Sequence, residues 1–156
     1  MKLKSILEDI EILKPSRSPE ERLKNYVITL KKKIQNYIKN GCKGDFDLNG
    51  TPIERLPENL KKVSGTLDLS HSKIKELPDD LVVGKDLWLH NTEIQKLPKN
   101  LKVGGDLAMS FSKIKELPDD LVVGGSVSLI ETPLSNKYSR EEIRRMVPGV
   151  KGHIYI

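Results

Sequence analysis

The chain is poor in the residues on which several classes of protein depend. Its 156 residues include one cysteine, one tryptophan and two phenylalanines, and aromatic residues make up 4% of the total. A single cysteine excludes an intramolecular disulfide, which fits a reducing compartment. No uninterrupted apolar run approaches the ~20 residues that a membrane-spanning helix needs. The opening stretch MKLKSILEDIEILK has acidic residues inside its apolar part, which argues against a signal peptide. We expect a soluble, cytoplasmic protein.

Motifs for catalysis are also missing. The sequence has no Walker-type loop, no HExxH, no cysteine pair and no G-x-S-x-G, so we expect no enzyme activity and no cofactor. His71 and His90 could approach Asp68 and Asp86 across neighbouring strands and hold a metal ion. The alternative, which we favour, is that these are solvated polar residues on an exposed face and that no metal is bound.

Positive charge is concentrated at one end of the chain. The formal net charge is +5, but residues 1–44 carry 11 basic and 5 acidic residues, whereas residues 45–156 carry 16 and 17. The basic residues of a predicted helix offer contacts to phosphates, which need only clustered positive charge. These are Lys24, Lys31, Lys32, Lys33 and Lys39. The alternative is a solvated helix face, since Tyr26 and Tyr37 are predicted on the apolar side and cannot stack on bases.

An internal repeat dominates the remaining sequence. The segment SKIKELPDDLVVG occurs at residues 72–84 and again, unchanged, at 112–124. A period of 20 aligns four copies that begin at Phe46, Leu67, Leu87 and Leu107, the first of them one residue longer, and a fifth that begins at Val127. One unit cannot bury its own apolar face, whereas stacked units share a core and a parallel sheet. The repeat therefore predicts a solenoid.

Each unit of the repeat combines two patterns. The opening Leu-x-Leu alternates apolar and polar residues and predicts a short strand. The spacing of Ile74, Leu77, Leu81 and Val83 predicts an irregular or helical return arc, which Pro78 keeps from becoming a continuous helix. Gly-Gly pairs permit the turn into the next strand. We predict one parallel sheet of about six strands, the last of which buries Ile154 and Ile156.

The two ends are predicted to be caps. Residues 1–44 form an N-terminal helical cap, 45–134 the solenoid and 135–156 a C-terminal helix and strand, within one structural domain. Ser18-Pro19-Glu20-Glu21 and Ser139-Arg140-Glu141-Glu142 are capping boxes that open helices. The first helix ends at Asn40-Gly41, and a shorter helix is predicted around residues 3–13. Cys42 is predicted to be a buried apolar substitute before the first strand.

The units, with consensus LxLxx(T/S)xIxxLPxxLxVGGD, resemble the leucine-rich repeat, and more narrowly the 20-residue bacterial class with a Leu-Pro pair. They differ in having Thr or Ser where Asn is common. The chain is also similar to leucine-rich-repeat-like proteins of tailed bacteriophages, which share GDLxLxxTxIxxLPxxLxVGG units and an ending like YSREEIRRMVPGVKGHIYI (138–156). The resemblance implies an α/β leucine-rich-repeat-like solenoid. It implies little about function, but makes a host protein, such as a defence or regulatory factor, the expected partner in the host-cell cytoplasm.

Side chains that vary while the scaffold stays fixed mark the candidate binding face. Strand alternation places one outward column at Asp47, Asp68, Trp88, Ala108, Ser128 and Tyr155. A second column follows at Asn49, Ser70, His90, Ser110 and Ile130, and a rim at Gly50, His71, Asn91, Phe111 and Glu131. Exposed aromatic residues commonly anchor protein interfaces. The predicted partner-binding residues are Trp88, His90, Phe111, His71, Asp68, Asp86 and Tyr155.

The sequence thus predicts a non-enzymatic protein–protein interaction module. The acidic part of the face, which includes Asp45 and Asp106, would repel nucleic acid and suit a basic patch on a partner protein. Three alternatives stay open. A terminal segment could cover the aromatic residues, the basic helix could bind nucleic acid, or the protein could self-associate through the 153–156 strand edge or the N-terminal helices.

Overall fold

A computed structural model describes residues 18–156. It contains an N-terminal helix, a parallel β-solenoid of about four turns, and short helical pieces near the C-terminus. The chain divides into two compact units between Gln35 and Asn36. The helix predicted around residues 3–13 lies outside the described residues. Among residues 18–156, no helix is both long and apolar enough to cross a membrane.

The N-terminal helix, α1, spans Pro19–Lys39. Its predicted capping box forms, because the Ser18 amide donates to the Glu21 carboxylate and the Glu21 amide donates to Ser18 Oγ, each at 3.2 Å. The helix ends before Gly41, whose φ of +79° belongs to the left-handed region. Leu30 and Ile34, four residues apart and so on one side of the helix, are buried, whereas Leu23 is exposed.

The first strand is preceded by a stacked aromatic pair. The rings of Tyr37 and Phe46 lie 4.0 Å apart and nearly parallel, and the Tyr37 hydroxyl donates to the Gly44 carbonyl at 2.9 Å. Cys42 is half-buried rather than buried, and its carbonyl accepts hydrogen bonds from the amide and hydroxyl of Ser64. It therefore matters through its backbone, which joins the first coil to the segment before it.

A six-stranded parallel sheet forms one side of the solenoid, as the repeat predicts. The spatial order is β1-β3-β5-β7-β9-β10. The register pairs equivalent positions of successive coils, for example Leu67 with Leu87 and Leu87 with Leu107. Its strands are β1 (Phe46–Asp47), β3 (Leu67–Asp68), β5 (Leu87–Trp88), β7 (Leu107–Ala108), β9 (Val127–Ser128) and β10 (Ile154–Tyr155).

The return arc is itself a second parallel sheet, so the prediction of an irregular or helical arc was wrong there. Leu81 and Val83 are buried while Val82 between them is exposed, which is the alternation of a strand. Four such segments pair in the order β2-β4-β6-β8. They are β2 (Lys62–Val63), β4 (Val82–Val83), β6 (Lys102–Val103) and β8 (Val122–Val123).

The coils approach one another closely at the turn between the two sheets. A Cβ atom built on Gly104 would lie 2.2 Å from the carbonyl oxygen of Gly84 in the coil before, and Gly124 meets Gly104 in the same way. Real Cβ atoms do not come this near to backbone oxygen. Glycine is therefore required here by the distance between coils.

Hydroxyl residues of four coils tie the strand to the turn that follows it, whereas the equivalent Ser112 Oγ has no hydrogen-bond partner among residues 18–156. Thr51 Oγ1 donates to the Leu48 carbonyl and Thr92 Oγ1 to the Leu89 carbonyl, both at 2.8 Å, and Ser72 and Thr132 bond in the same way. Each bond joins residues three apart in sequence. The Thr or Ser side chain thus closes a local turn within its own coil.

Two short helices, α2 (Pro133–Lys137) and α3 (Arg140–Met146), precede the last strand. The predicted capping box of α3 forms between Ser139 and Glu142. Arg144 on α3 donates to the carbonyls of Val150 and Gly152, which lie just before β10. Ile154 is buried, but Ile156 is 41% exposed, so the prediction that it points inward was wrong. The reason is that β10 ends at Tyr155, and strand alternation does not extend to Ile156.

Candidate functional site

The strand face consists of the outward residues of the six-stranded sheet and of the turns that follow its strands. The register places Asp68 beside Trp88, Trp88 beside Ala108, and Ser128 beside Tyr155. The first predicted column is therefore continuous from β1 to β10. Its two aromatic members are accessible, since Trp88 is 40% and Tyr155 49% exposed.

The second predicted column is only partly at the surface. Ser70 and Ser110 are buried, contrary to the prediction, because the chain has left the strand and entered a turn, where strict alternation no longer holds. Ser110 Oγ lies 2.8 Å from Ser128 Oγ, whereas Ser70 Oγ has no hydrogen-bond partner among residues 18–156. Ile130 is exposed and His90 is half-buried.

The rim of the strand face has an unusual backbone conformation. The residue after the second column has φ between +53° and +64° in all five coils, which is the left-handed region. Glycine and asparagine tolerate this region, and a bulky side chain does not. The residues are Gly50, His71, Asn91, Phe111 and Glu131. Phe111 is thus held in a strained conformation with its ring 60% exposed.

Small residues separate the two large rings across the later coils of the face. Between Trp88 and Tyr155 the column contains only Ala108 and Ser128, so the two large rings stand on either side of a shallow floor. Three strand spacings separate them, or roughly 14 Å. Phe111 and the exposed Ile130 lie at the end of this floor, where the Phe111 amide donates to the Ile130 carbonyl at 2.9 Å.

Carboxylates occupy the earlier coils and the margin before the strands. Asp68 accepts from the Ser70 amide at 2.8 Å and from the Asn49 side chain at 3.2 Å. Asp86 Oδ1 accepts from the Asp106 amide at 2.8 Å. These bonds hold the carboxylates in place without neutralising their charge. The five acidic residues of this region are Asp45, Asp47, Asp68, Asp86 and Asp106, and Lys85 lies 3.8 Å from Asp45.

The histidines lie near the face but do not form a cluster with its carboxylates. His71 Nδ1 is 3.2 Å from the Asn91 side-chain nitrogen, so its ring bonds along the rim. Across the described part of the chain, no group of three or more His, Cys, Asp or Glu side chains is arranged to hold a metal ion.

The basic residues of α1 form a second candidate surface. Lys24, Lys31, Lys32, Lys33 and Lys39 are all exposed. Tyr26 is also 47% exposed, which corrects its predicted place on the apolar side, whereas Tyr37 is half-buried against Phe46. The surface has charge suited to phosphates, and one accessible ring.

A groove on the return side was missed by sequence reasoning. It has a volume of about 510 Å³, and its apolar lining comes from the Leu-Pro pairs of successive coils, such as Leu97-Pro98. Charges of both signs surround it, and pairs such as Lys75–Glu54 at 2.9 Å and Arg55–Glu76 at 3.2 Å cross between neighbouring coils. The recurring Leu-Pro pair was the available signal. Its lining contains four acidic residues, Glu58, Glu76, Asp79 and Glu116, and two basic ones, Lys96 and Lys99.

Two groups outside the strand face have shifted pKa values with simple physical causes. Burial raises the pKa of the Cys42 thiol, and the hydrogen bond from Lys75 lowers the pKa of Glu54. Neither group belongs to the strand face.

The chain is therefore a parallel β-solenoid that carries an aromatic and acidic strand face. Comparison with protein-family models, with curated proteins and with solved structures finds no match for it.

Proposed function

We propose that this protein is a non-enzymatic interaction module that binds another protein through its strand face. The observation that carries the proposal is the exposure of Trp88, Phe111 and Tyr155 on one face of a chain in which aromatic residues make up 4%. Exposed aromatic side chains grouped on a surface are the usual anchors of protein interfaces.

The scaffold supports this role because it holds the face rigidly. Each strand is paired on both sides, except at the two ends of the sheet, and the inward residues Leu67, Leu87 and Leu107 are fully buried. A face that is already ordered loses little conformational entropy when a partner binds. Side chains on the outward column can vary without disturbing the inward column, which suits a surface adapted to one partner.

The proposed source of the partner comes from the resemblance and not from the geometry. A leucine-rich-repeat-like protein of a tailed bacteriophage would meet proteins of the host-cell cytoplasm, so a host defence or regulatory factor is the first partner class to test.

A nucleic-acid-binding role is the second candidate, and the charge of α1 favours it. Residues 19–39 contain six basic and two acidic residues. Such a helix would bind phosphates with an affinity that falls steeply with salt. The acidic strand face would then take no part in binding, and removing its aromatic residues would leave the affinity for nucleic acid unchanged.

The test is affinity capture from a host-cell lysate, with and without nuclease. Wild type is compared with Trp88→Ala/Phe111→Ala and with a matched control, Val82→Ala/Val122→Ala. The control also removes two exposed apolar side chains, but from the four-stranded sheet. We expect a stoichiometric protein that survives nuclease treatment, binds the control and is lost with the aromatic double variant.

Other outcomes separate the candidates. Material that disappears with nuclease, and that a Lys31→Glu/Lys32→Glu/Lys33→Glu variant fails to capture, would support the basic helix instead. Concentration-dependent dimers that disappear on deletion of residues 153–156, with no other partner captured, would support self-association. Equal capture by wild type and by the aromatic double variant would reject the strand face.

A further inference from the structure

We propose that the strand face recognises a cationic side chain, an arginine or lysine of the partner protein, which lies on the indole of Trp88 between Asp68 and Asp86. An apolar side chain of the same partner segment packs on Phe111 and Ile130. This inference rests on the proposed function and specifies the chemistry of the partner.

Trp88 has carboxylates on two sides. Asp68 is its register partner on the neighbouring strand, about 4.8 Å away between backbones, and Asp86 precedes it by two residues, just before β5, roughly 7 Å away along the chain. A cation within about 6 Å of an indole is attracted by the electrons of the ring, and carboxylates beside the ring add direct charge attraction. Ala108 on the other side of Trp88 leaves one flank of the indole open.

The charge of the surrounding surface favours the same class of ligand. Five aspartates surround the early coils of the face, and Lys85 pairs with Asp45 at its margin. Such a surface attracts basic segments over a distance and repels phosphate groups. A basic protein segment is therefore favoured over a nucleic acid or an anionic lipid at this face.

The apolar contact lies one coil further along. Phe111 is 60% and Ile130 42% exposed, and the hydrogen bond from the Phe111 amide to the Ile130 carbonyl keeps the two side by side. One strand spacing sideways and three residues along the strand separate Phe111 from Trp88, or roughly 10 Å. An extended partner segment covers this distance in about three residues. The expected motif is a cation and a large apolar residue two to four positions apart.

A library of random 12-residue peptides, displayed on cells and selected against the purified full-length protein, tests the inference. We expect enrichment of peptides with Arg or Lys and an apolar residue at that spacing. A selected peptide without tryptophan is then synthesised and titrated, because Trp88 is the single tryptophan of the chain and its fluorescence reports directly on the site.

The matched variants are Asp68→Asn/Asp86→Asn and Glu58→Gln/Asp119→Asn. Both remove two negative charges, and the asparagines keep an oxygen that accepts from Ser70 and Asp106. The first pair should weaken binding about fivefold, since each exposed ion pair contributes modestly, and the control should stay within about twofold. If the first pair lowers the unfolding temperature, the salt dependence of wild-type binding serves in its place and should be steep.

The outcomes distinguish this inference from the function on which it rests. Apolar peptides without a cation, lost with Trp88→Ala/Phe111→Ala, would keep the binding face and overturn the cation site. Acidic peptides, salt-independent binding or no enrichment would also overturn it. Peptides bound equally by the aromatic double variant would reject the strand face itself.

Discussion

Replacing Phe111 by glycine and by alanine separates the energy of its backbone conformation from that of its side chain. The residue has a φ of +61°. Any residue with a Cβ costs about 1–2 kcal/mol in the left-handed region, whereas glycine enters it freely. Both substitutions remove the same ring, so the difference between the two variants reports the backbone.

The expected magnitudes follow from exposure and φ. The ring is 60% exposed, so roughly 80 Å² of it is buried, and losing that contact costs about 2 kcal/mol in either variant. Phe111→Gly should then be more stable than Phe111→Ala by about 1 kcal/mol. Replacing alanine by glycine in β7, Ala108→Gly, should instead lower the free energy of unfolding by about 0.5–1 kcal/mol, as is usual in a strand.

Urea and thermal denaturation, each followed by circular dichroism, measure these differences in the free energy of unfolding. A difference of 1 kcal/mol corresponds to about 2–4 °C in Tm for a chain of this length, which is readily resolved. If Phe111→Ala is as stable as Phe111→Gly or more so, the left-handed conformation carries no cost and the argument for strain at the rim fails. If the expected order is found, Phe111 is a residue retained at the expense of stability, as expected of a binding anchor.

Three further predictions concern the scaffold. Gly104→Ala should lower the free energy of unfolding by several kcal/mol, because the added Cβ would lie 2.2 Å from a backbone oxygen. Gly50→Asn should be nearly neutral in the same denaturation experiment, because residue 50 has open space around it and a φ that asparagine tolerates. Arg144→Ala should lower the free energy of unfolding by about 2 kcal/mol, because two backbone carbonyls lose their hydrogen-bond donor. Amide hydrogen exchange should then become faster first in residues 150–156. Hydrogen bonds from Ser139 lower the pKa of Glu142 below its usual 4.5, so this carboxylate stabilises the fold above pH 4.5 and loses that effect as the pH falls through its lower folded value. The stability difference between wild type and Glu142→Gln should therefore narrow on acidification, and a constant difference from pH 7 to pH 3 would contradict this.

The repeat alone predicts the first five strands of the six-stranded sheet and their register. Leu67, Leu87 and Leu107 recur at a spacing of 20 and pair with one another in the structure. A repeat of constant length leaves one register that keeps every apolar residue inward. The outward positions of Trp88 and Tyr155 follow from the same alternation.

The second, four-stranded sheet is harder to predict from the sequence. Its strands are two residues long, as in Val82–Val83, and a periodicity of two needs more residues than that to be recognised. The alternation of Leu81, Val82 and Val83 is present, but it stands beside the helix-like spacing of Ile74 and Leu77. The parallel neighbour in the next coil decides between the two, and no single unit contains that information.

The details of the strand face depend on turns. Alternation stops where the strand ends, so Ser70 and Ser110 turn inward although they occupy outward positions in the pattern. The left-handed rim was signalled only by Gly50 and Asn91, because the equivalent Phe111 gives no hint of a positive φ. Position in a repeat therefore predicts which residues form the face more reliably than it predicts their conformation.

The two identical thirteen-residue segments allow the chain to lose or gain two coils without changing the sequence at the junction. Removing residues 73–112 would join Ser72 to Lys113 and restore SKIKELPDDLVVG in one copy. The shortened chain would keep both ends and the inward residues of each remaining coil, while losing Trp88 and Phe111 together. Because the scaffold repeats, the coils that carry the recognition residues can be removed or inserted as a unit, while the N-terminal and C-terminal segments stay the same.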